Sequence, residues 1–147
     1  MKKDYLRDYC TEAFRFYAKT GGRSAFLRSI EDDIIKPKGS GTCKPTEAAL
    51  VNKERIILEH AAELEDIEAV SKVLVYLDMC GHRDMITAIE IVYFADCWKD
   101  LERGDISTRV HEAEIMIPAS EKTVYRWLRS IREMFAKERG LRIVSKR

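Results

Sequence analysis

Apolar residues recur at steps of three and four along most of the chain, which is the spacing that places them on one face of an α-helix. This spacing predicts helices over residues 3–19, 24–35, 46–78 and 84–98, followed by a pair of helices within residues 106–140. No convincing strand pattern is present. The pattern therefore predicts an all-α protein, a helical bundle with a long central helix and a C-terminal helix-turn-helix.

The longest predicted helix runs from Thr46 to Asp78 and carries eight acidic residues against three basic ones. Unbroken, it would span roughly 50 Å at about 1.5 Å per residue. Globular helices are usually shorter, so the segment predicts a packing spine, an oligomerisation helix or a hidden break. Its acidic flank is interpreted as a solvated face, with a docking site for a basic partner as the alternative.

Residues 36–45 (KPKGSGTCKP) separate the first two helices from the rest of the chain. Glycine, serine and proline at this density disfavour regular structure, so a linker or hinge is predicted. A phosphate-binding loop is not supported, because neither a preceding strand nor a G-K-[ST] sequence is present. This linker, and a polar segment before the final helix pair, divide the chain into residues 1–45, 46–104 and 105–147.

The final helix pair has clear signals for where its second helix begins and ends. Ser120 is a favourable N-cap, and Gly140 suits the left-handed conformation that ends a helix. A short apolar stripe on the first helix is expected to pack across the second, as a helix-turn-helix requires. The stripe consists of Val110, Ala113 and Ile117, and the apolar face of the second helix consists of Val124, Trp127, Leu128, Ile131, Met134 and Phe135.

The exposed flank of the second helix is basic, although the whole chain has a formal net charge of only +1. Residues 118–147 hold nine lysines and arginines against three glutamates. Cationic donors beside an aromatic ring suit phosphates and base edges, so the flank indicates DNA binding. A solvated face on an ordinary core helix is the alternative interpretation. The flank consists of Lys122, Tyr125, Arg126, Arg129 and Arg132.

Other classes of function have little support in the sequence. No apolar run approaches the roughly 18 residues of a membrane span, and the charged opening residues do not resemble a signal peptide, so a cytoplasmic protein is expected. The four cysteines are widely spaced and are expected to be reduced thiols.

Metal and catalytic sites are not predicted either. A zinc set of Cys80, His82, Cys97 and His111 lacks the spacing of known structural zinc sites. Glu112 and Glu114 lie two apart on a helix and do not face each other, so a paired-carboxylate site is not supported. Neither an enzyme nor a cofactor is predicted.

Three segments resemble the RinA- and ArpU-type transcription regulators of phages and prophages in low-GC Gram-positive bacteria. They are EDDII (residues 31–35), AIEIVYF (residues 88–94) and SEKTVYRWLRSIREMFAKERGL (residues 120–141). The resemblance is sharpest over S-x-K-T-V-Y-R-W, residues 120–127. The C-terminal part of that family is similar to the promoter-reading helix-turn-helix of bacterial sigma factors.

The resemblance implies a transcription regulator that binds double-stranded DNA in a sequence-specific way. It implies that residues 120–132 form the recognition helix and that Val124 and Trp127 are buried. RNA polymerase is a further candidate partner, because sigma-like domains contact it, and a homo-oligomer through the central helix is another. The residues expected to contact DNA are Ser120, Lys122, Thr123, Tyr125, Arg126, Arg129 and Arg132.

Two residues depart from the family pattern. Glu114 stands where the first helix usually has a small residue, so it must face solvent or a partner. Pro118 replaces the turn glycine, fixes φ and lacks an N–H donor, so the turn geometry can differ from that of the family. Two alternatives stay open, a phage DNA-packaging protein of the small-terminase kind and a helical protein–protein adaptor that does not bind DNA.

Overall fold

The computed structural model describes residues 4–34, of which 31–34 by their backbone alone, and residues 54–141. Within these ranges the regular structure is entirely helical, which confirms the predicted all-α class. None of the described helices is both long and apolar enough to cross a membrane. The predicted linker (residues 36–45), the start of the predicted central helix and the three basic residues beyond Leu141 lie outside the described residues.

The first two helices follow the sequence signals closely. The Asp4 side chain caps the first helix by accepting a hydrogen bond from the Arg7 N–H at 2.9 Å. Gly21 ends this helix with a φ of 79°, a conformation in which an L side chain would be strained. In chain order the helices are α1 (Tyr5–Thr20), α2 (Arg23–Ile34), α3 (Ala61–Met79), α4 (Arg83–Ile89), a π-helix (Glu90–Phe94), α5 (Asp105–Met116) and α6 (Glu121–Arg139).

The predicted central helix is interrupted at His60. Residues 54–59 are helical, His60 adopts a φ of −109° and a ψ of 22°, and α3 begins at Ala61. At this interruption the imidazole of His60 stands edge-on to the ring of Phe26, with 5.7 Å between ring centroids. An uninterrupted helix to Asp78 is therefore not confirmed, and α3 itself has 19 residues.

The helix predicted over residues 84–98 ends early. α4 passes directly into the π-helix, and the backbone leaves helical geometry at Ala95, whose ψ is 135°. Around this point the side chain of Arg15 donates hydrogen bonds to backbone carbonyls that no longer lie in regular helix. Its buried guanidinium donates to the carbonyls of Tyr93 at 3.1 Å and Asp96 at 2.9 Å, and it also reaches those of Ala95 and Lys99. The prediction of helix over residues 95–98 is thus wrong, and Trp98 is 79% exposed.

A single buried cluster joins α1, α3, α4, the π-helix, α5 and α6. At its centre the ring of Phe14 lies 5.3 Å from that of Tyr93 and 5.8 Å from that of Phe135, measured between centroids. A smaller cluster holds α2 against residues 54–67 through Phe26 and Leu64. Helices from all three predicted regions therefore contribute to the same core, and α5 and α6 are packed into it.

Candidate nucleic-acid interface

The connection between α5 and α6 is four residues long and closes on a well-formed N-cap. Ser120 has extended backbone geometry, and its hydroxyl accepts a hydrogen bond from the Thr123 N–H at 3.3 Å. The two hydroxyls of Ser120 and Thr123 also lie 3.0 Å apart. Gly140 ends α6 with a φ of 70°. Both predicted caps are confirmed, so Ser120 and Thr123 serve first to begin the helix.

The facing sides of α5 and α6 are buried as predicted. Val110 and Ala113 on α5 are fully buried, as are Val124 and Ile131 on α6, and all four belong to the main core cluster. α5 ends at Met116, where the Ile117 N–H still donates to the Ala113 carbonyl at 2.8 Å. This packing sets the orientation of α6 and determines which of its sides meets solvent.

Trp127 is only partly buried, in contrast to the expectation from the resemblance. Its indole lines an open groove of about 860 Å³ between α6 and α3, together with Met134 and Leu77. The expected burial is correct for Val124, which faces α5. For Trp127 the expected full burial is wrong, because the open groove exposes one side of the indole.

The opposite side of α6 exposes Lys122, Tyr125, Arg126 and Arg129. Lys122 and Arg129 are seven residues apart, so these side chains cover about 10 Å along the helix axis. Among the described residues, no carboxylate lies within ion-pair distance of Lys122 or Arg126. Arg129 lies 3.7 Å from Glu133, but both side chains are mostly exposed, and pairs of this kind contribute little stability. The four residues form one accessible basic flank.

Arg132 does not belong to this flank. It is partly buried, and its guanidinium lies close enough to Tyr93 and Cys10 to act on their pKa values. Burial raises the pKa of Tyr93, and it raises the pKa of the Cys10 thiol to about 12, while the charge of Arg132 opposes both shifts. Arg132 is three residues from both Arg129 and Phe135, so helical spacing alone left its side undecided. Its position favours a structural role at the edge of the core.

Arg139, at the end of α6, is also held within the protein. Its guanidinium donates to Asp66 at 2.7 Å, to Glu65 at 2.8 Å and to the Tyr9 hydroxyl at 3.2 Å. Burial acts to lower the pKa of Arg139, but the hydrogen bonds to Asp66 and Tyr9 outweigh it and raise the pKa. Part of the basic excess counted from the sequence therefore neutralises part of the acidic flank of the central segment. No local sequence signal marks this long-range pairing.

Potential metal ligands meet at one place in the part of the chain that the structure describes. Cys80, His82 and Cys97 are not brought together with His111. Instead, His111 lies beside Glu114 and Glu121, with one ligand atom of each residue within 4.8 Å of the others. Glu114 is exposed, as its departure from the family pattern required.

The chain matches no protein-family model, no curated protein and no solved structure. The resemblance to the RinA- and ArpU-type regulators therefore stays a prediction, and the function is argued from the geometry of α5 and α6.

Proposed function

We propose that the chain is a transcription regulator that binds double-stranded DNA in a sequence-specific way. In this proposal α5, residues 117–120 and α6 act as a helix-turn-helix, and α6 is the recognition helix. The observation that carries the proposal is the accessible basic flank on the first turns of a helix whose other side packs into the core through Val124, Leu128 and Ile131. Recognition helices contact base edges with residues near their N-termini, and the flank lies there.

The dimensions and chemistry of the flank suit the major groove. Its length of about 10 Å is comparable to the roughly 12 Å width of that groove. Arg126 and Arg129 carry the planar fork that binds the N7 and O6 atoms of guanine, and Lys122 can reach phosphates. One turn beyond Arg129 the same side presents Glu133, whose negative charge disfavours further contact with the phosphates of DNA. The expected contact therefore covers the first two to three turns of α6.

The strongest second candidate is a protein–protein adaptor. It is favoured by the groove that Trp127 lines and by two large apolar side chains exposed at the end of α5, Ile115 at 85% and Met116 at 73%. An adaptor would use the arginines of α6 to contact protein, and it would show no affinity for duplex DNA. A DNA-packaging protein would bind duplex DNA with little sequence preference and would assemble into rings.

The decisive experiment selects bound fragments from random duplex DNA and then measures affinities by fluorescence anisotropy. We expect one motif to be enriched. Arg126→Ala should lose about 1–3 kcal/mol of binding free energy for that motif, which raises the Kd roughly 5- to 150-fold. The loss for a scrambled duplex should be smaller. Arg28→Ala is the matched control, because Arg28 is an exposed arginine on α2. It should bind like the parent.

Three results would contradict the proposal. Equal weakening of the selected and scrambled duplexes by Arg126→Ala would reduce the flank to a general electrostatic contact. If no motif is enriched, and light scattering gives the mass of an oligomer large enough to form a ring, packaging would be favoured. No measurable affinity for any duplex at low salt would favour the adaptor.

A further inference from the structure

α5 and the first turn of α6 bring an imidazole and two carboxylates together on the outside of the helix pair. His111 and Glu114 lie three residues apart on α5, which places them on the same side of that helix. Glu121 is the first residue of α6. The Nδ1 atom of His111 lies 3.7 Å from Oε2 of Glu114 and 3.8 Å from Oε2 of Glu121.

The backbones of His111, Glu114 and Glu121 are positioned by contacts that do not involve these three side chains. Val110 and Ala113, which flank His111 on α5, are fully buried against α6. Glu121 follows directly on Ser120, whose side chain caps α6. The convergence of the three residues is therefore set by the angle and connection of two packed helices.

The observed separations suit a shared ion better than direct hydrogen bonds. At 3.7 and 3.8 Å the imidazole nitrogen is too far from either carboxylate oxygen for a hydrogen bond. Two ligands of one metal ion, each about 2.0–2.2 Å from it, are separated by about 3.0–3.5 Å. Small rotations of exposed side chains close the remaining gap. The carboxylates of Glu114 and Glu121 both lie beside the His111 imidazole. A divalent cation would balance their two negative charges, which the imidazole alone cannot do.

We propose that His111, Glu114 and Glu121 form a binding site for a divalent first-row transition metal ion of the Zn²⁺ class. The imidazole favours such ions over Ca²⁺ and Mg²⁺, which prefer sites made of oxygen ligands alone. Three protein ligands leave at least one coordination position for water. A bound ion would connect α5 directly to the start of α6 and would stiffen the four-residue connection between them.

The test is a calorimetric titration with ZnCl₂, in which every variant carries Cys80→Ala so that this exposed thiol cannot bind the metal. We expect one saturable site per chain. His111→Ala and Glu121→Gln should each raise the Kd by at least about tenfold. Even mutation of residues that only hydrogen-bond to metal ligands typically reduces metal affinity by that factor. The controls are His82→Ala and Glu112→Gln, which remove an exposed histidine and an exposed glutamate outside the group. Both should bind like the parent.

A second measurement checks the bridge between the helices. Zn²⁺ should raise the Tm of the parent and leave that of His111→Ala unchanged. The proposal is wrong if the parent shows no saturable site, or if the control variants lose as much affinity as the ligand variants. In that case the three side chains form surface ion pairs only. The titration contains no DNA, so its result is independent of the proposed function.

Discussion

Replacing Arg15 by methionine should destabilise the protein strongly. Arg15 is only 2% exposed, and its guanidinium donates to four backbone carbonyls between Tyr93 and Lys99. These carbonyls belong to the segment in which the π-helix ends and the chain turns towards α5. Methionine keeps most of the apolar stem of arginine but has no donor, so it removes the hydrogen bonds with little change in volume.

The size of the effect follows from the environment of each carbonyl. Hydrogen bonds to a charged group contribute about 1.5–3 kcal/mol each, so four bonds could contribute at most about 6–12 kcal/mol. Two terms reduce this figure. Burial lowers the pKa of Arg15, which shows that the charged form loses solvation in the folded state. In addition, only the bond to the Tyr93 carbonyl is fully buried, so water can replace the donor at the other three.

Leaving one buried carbonyl without a donor costs about 1–3 kcal/mol, and partial losses at the other three add to it. We therefore expect Arg15→Met to lower the free energy of unfolding by about 2–4 kcal/mol. For a chain of this size that corresponds to a fall in Tm of about 6–13 °C.

Urea unfolding followed by circular dichroism measures this difference. Arg15→Lys should fall between the parent and Arg15→Met, because a single ammonium group has three donors and lacks the planar fork. Arg7→Met is the control, since Arg7 lies on the same helix with its side chain 55% exposed, and it should match the parent. If Arg15→Met unfolds at the same urea concentration as the parent with an unchanged slope, the reasoning about these carbonyls is refuted.

Two further predictions concern the core. Leu128→Ala should lower the free energy of unfolding by about 2–5 kcal/mol, measured by urea unfolding. Trp127→Ala should lower it by less than the roughly 3–5 kcal/mol typical of a fully buried aromatic residue, because the indole is only partly buried. A loss of that full size would place the indole in the core. Burial raises the pKa of the Cys10 thiol from 9.0 to about 12, so its contribution to stability is full below pH 9 and is lost between pH 9 and 12. Cys10→Ala should therefore reduce the alkaline loss of stability, and mass spectrometry after alkylation of the native parent should find Cys80 modified well before Cys10.

The sequence predicted those parts of the fold that depend on local chemistry. Ser120 and Gly140 mark the ends of α6 because capping needs only the residue and its near neighbours. The buried side of α6, with Val124 and Phe135, follows in the same way from helical spacing. These features determine which flank of α6 is exposed, and five of the seven expected DNA-contacting residues are exposed, namely Ser120, Lys122, Tyr125, Arg126 and Arg129.

The features that the sequence did not predict depend on residues far apart in the chain. At the interruption before α3 His60 contacts Phe26, and after Phe94, where the helix ends early, the backbone carbonyls accept from Arg15. Arg139 likewise pairs with Asp66, 73 positions away. Composition and periodicity carry no information about such partners, so arginines that stabilise the core were counted with those that face solvent.

The packing of α6 against α1 has a consequence for how the protein is made. The ring of Phe135 lies 5.9 Å from that of Tyr9 and 5.8 Å from that of Phe14. About 100 residues separate the end of α1 from the start of α6, so a ribosome adding roughly 5–20 residues per second makes the second about 5–20 s after the first. During this interval the rings of Tyr9 and Phe14 lack their contact with Phe135. The basic flank of α6 gains its orientation only when that helix emerges and packs against these rings, so a chain stalled before α6 would lack both the flank and this cover over α1.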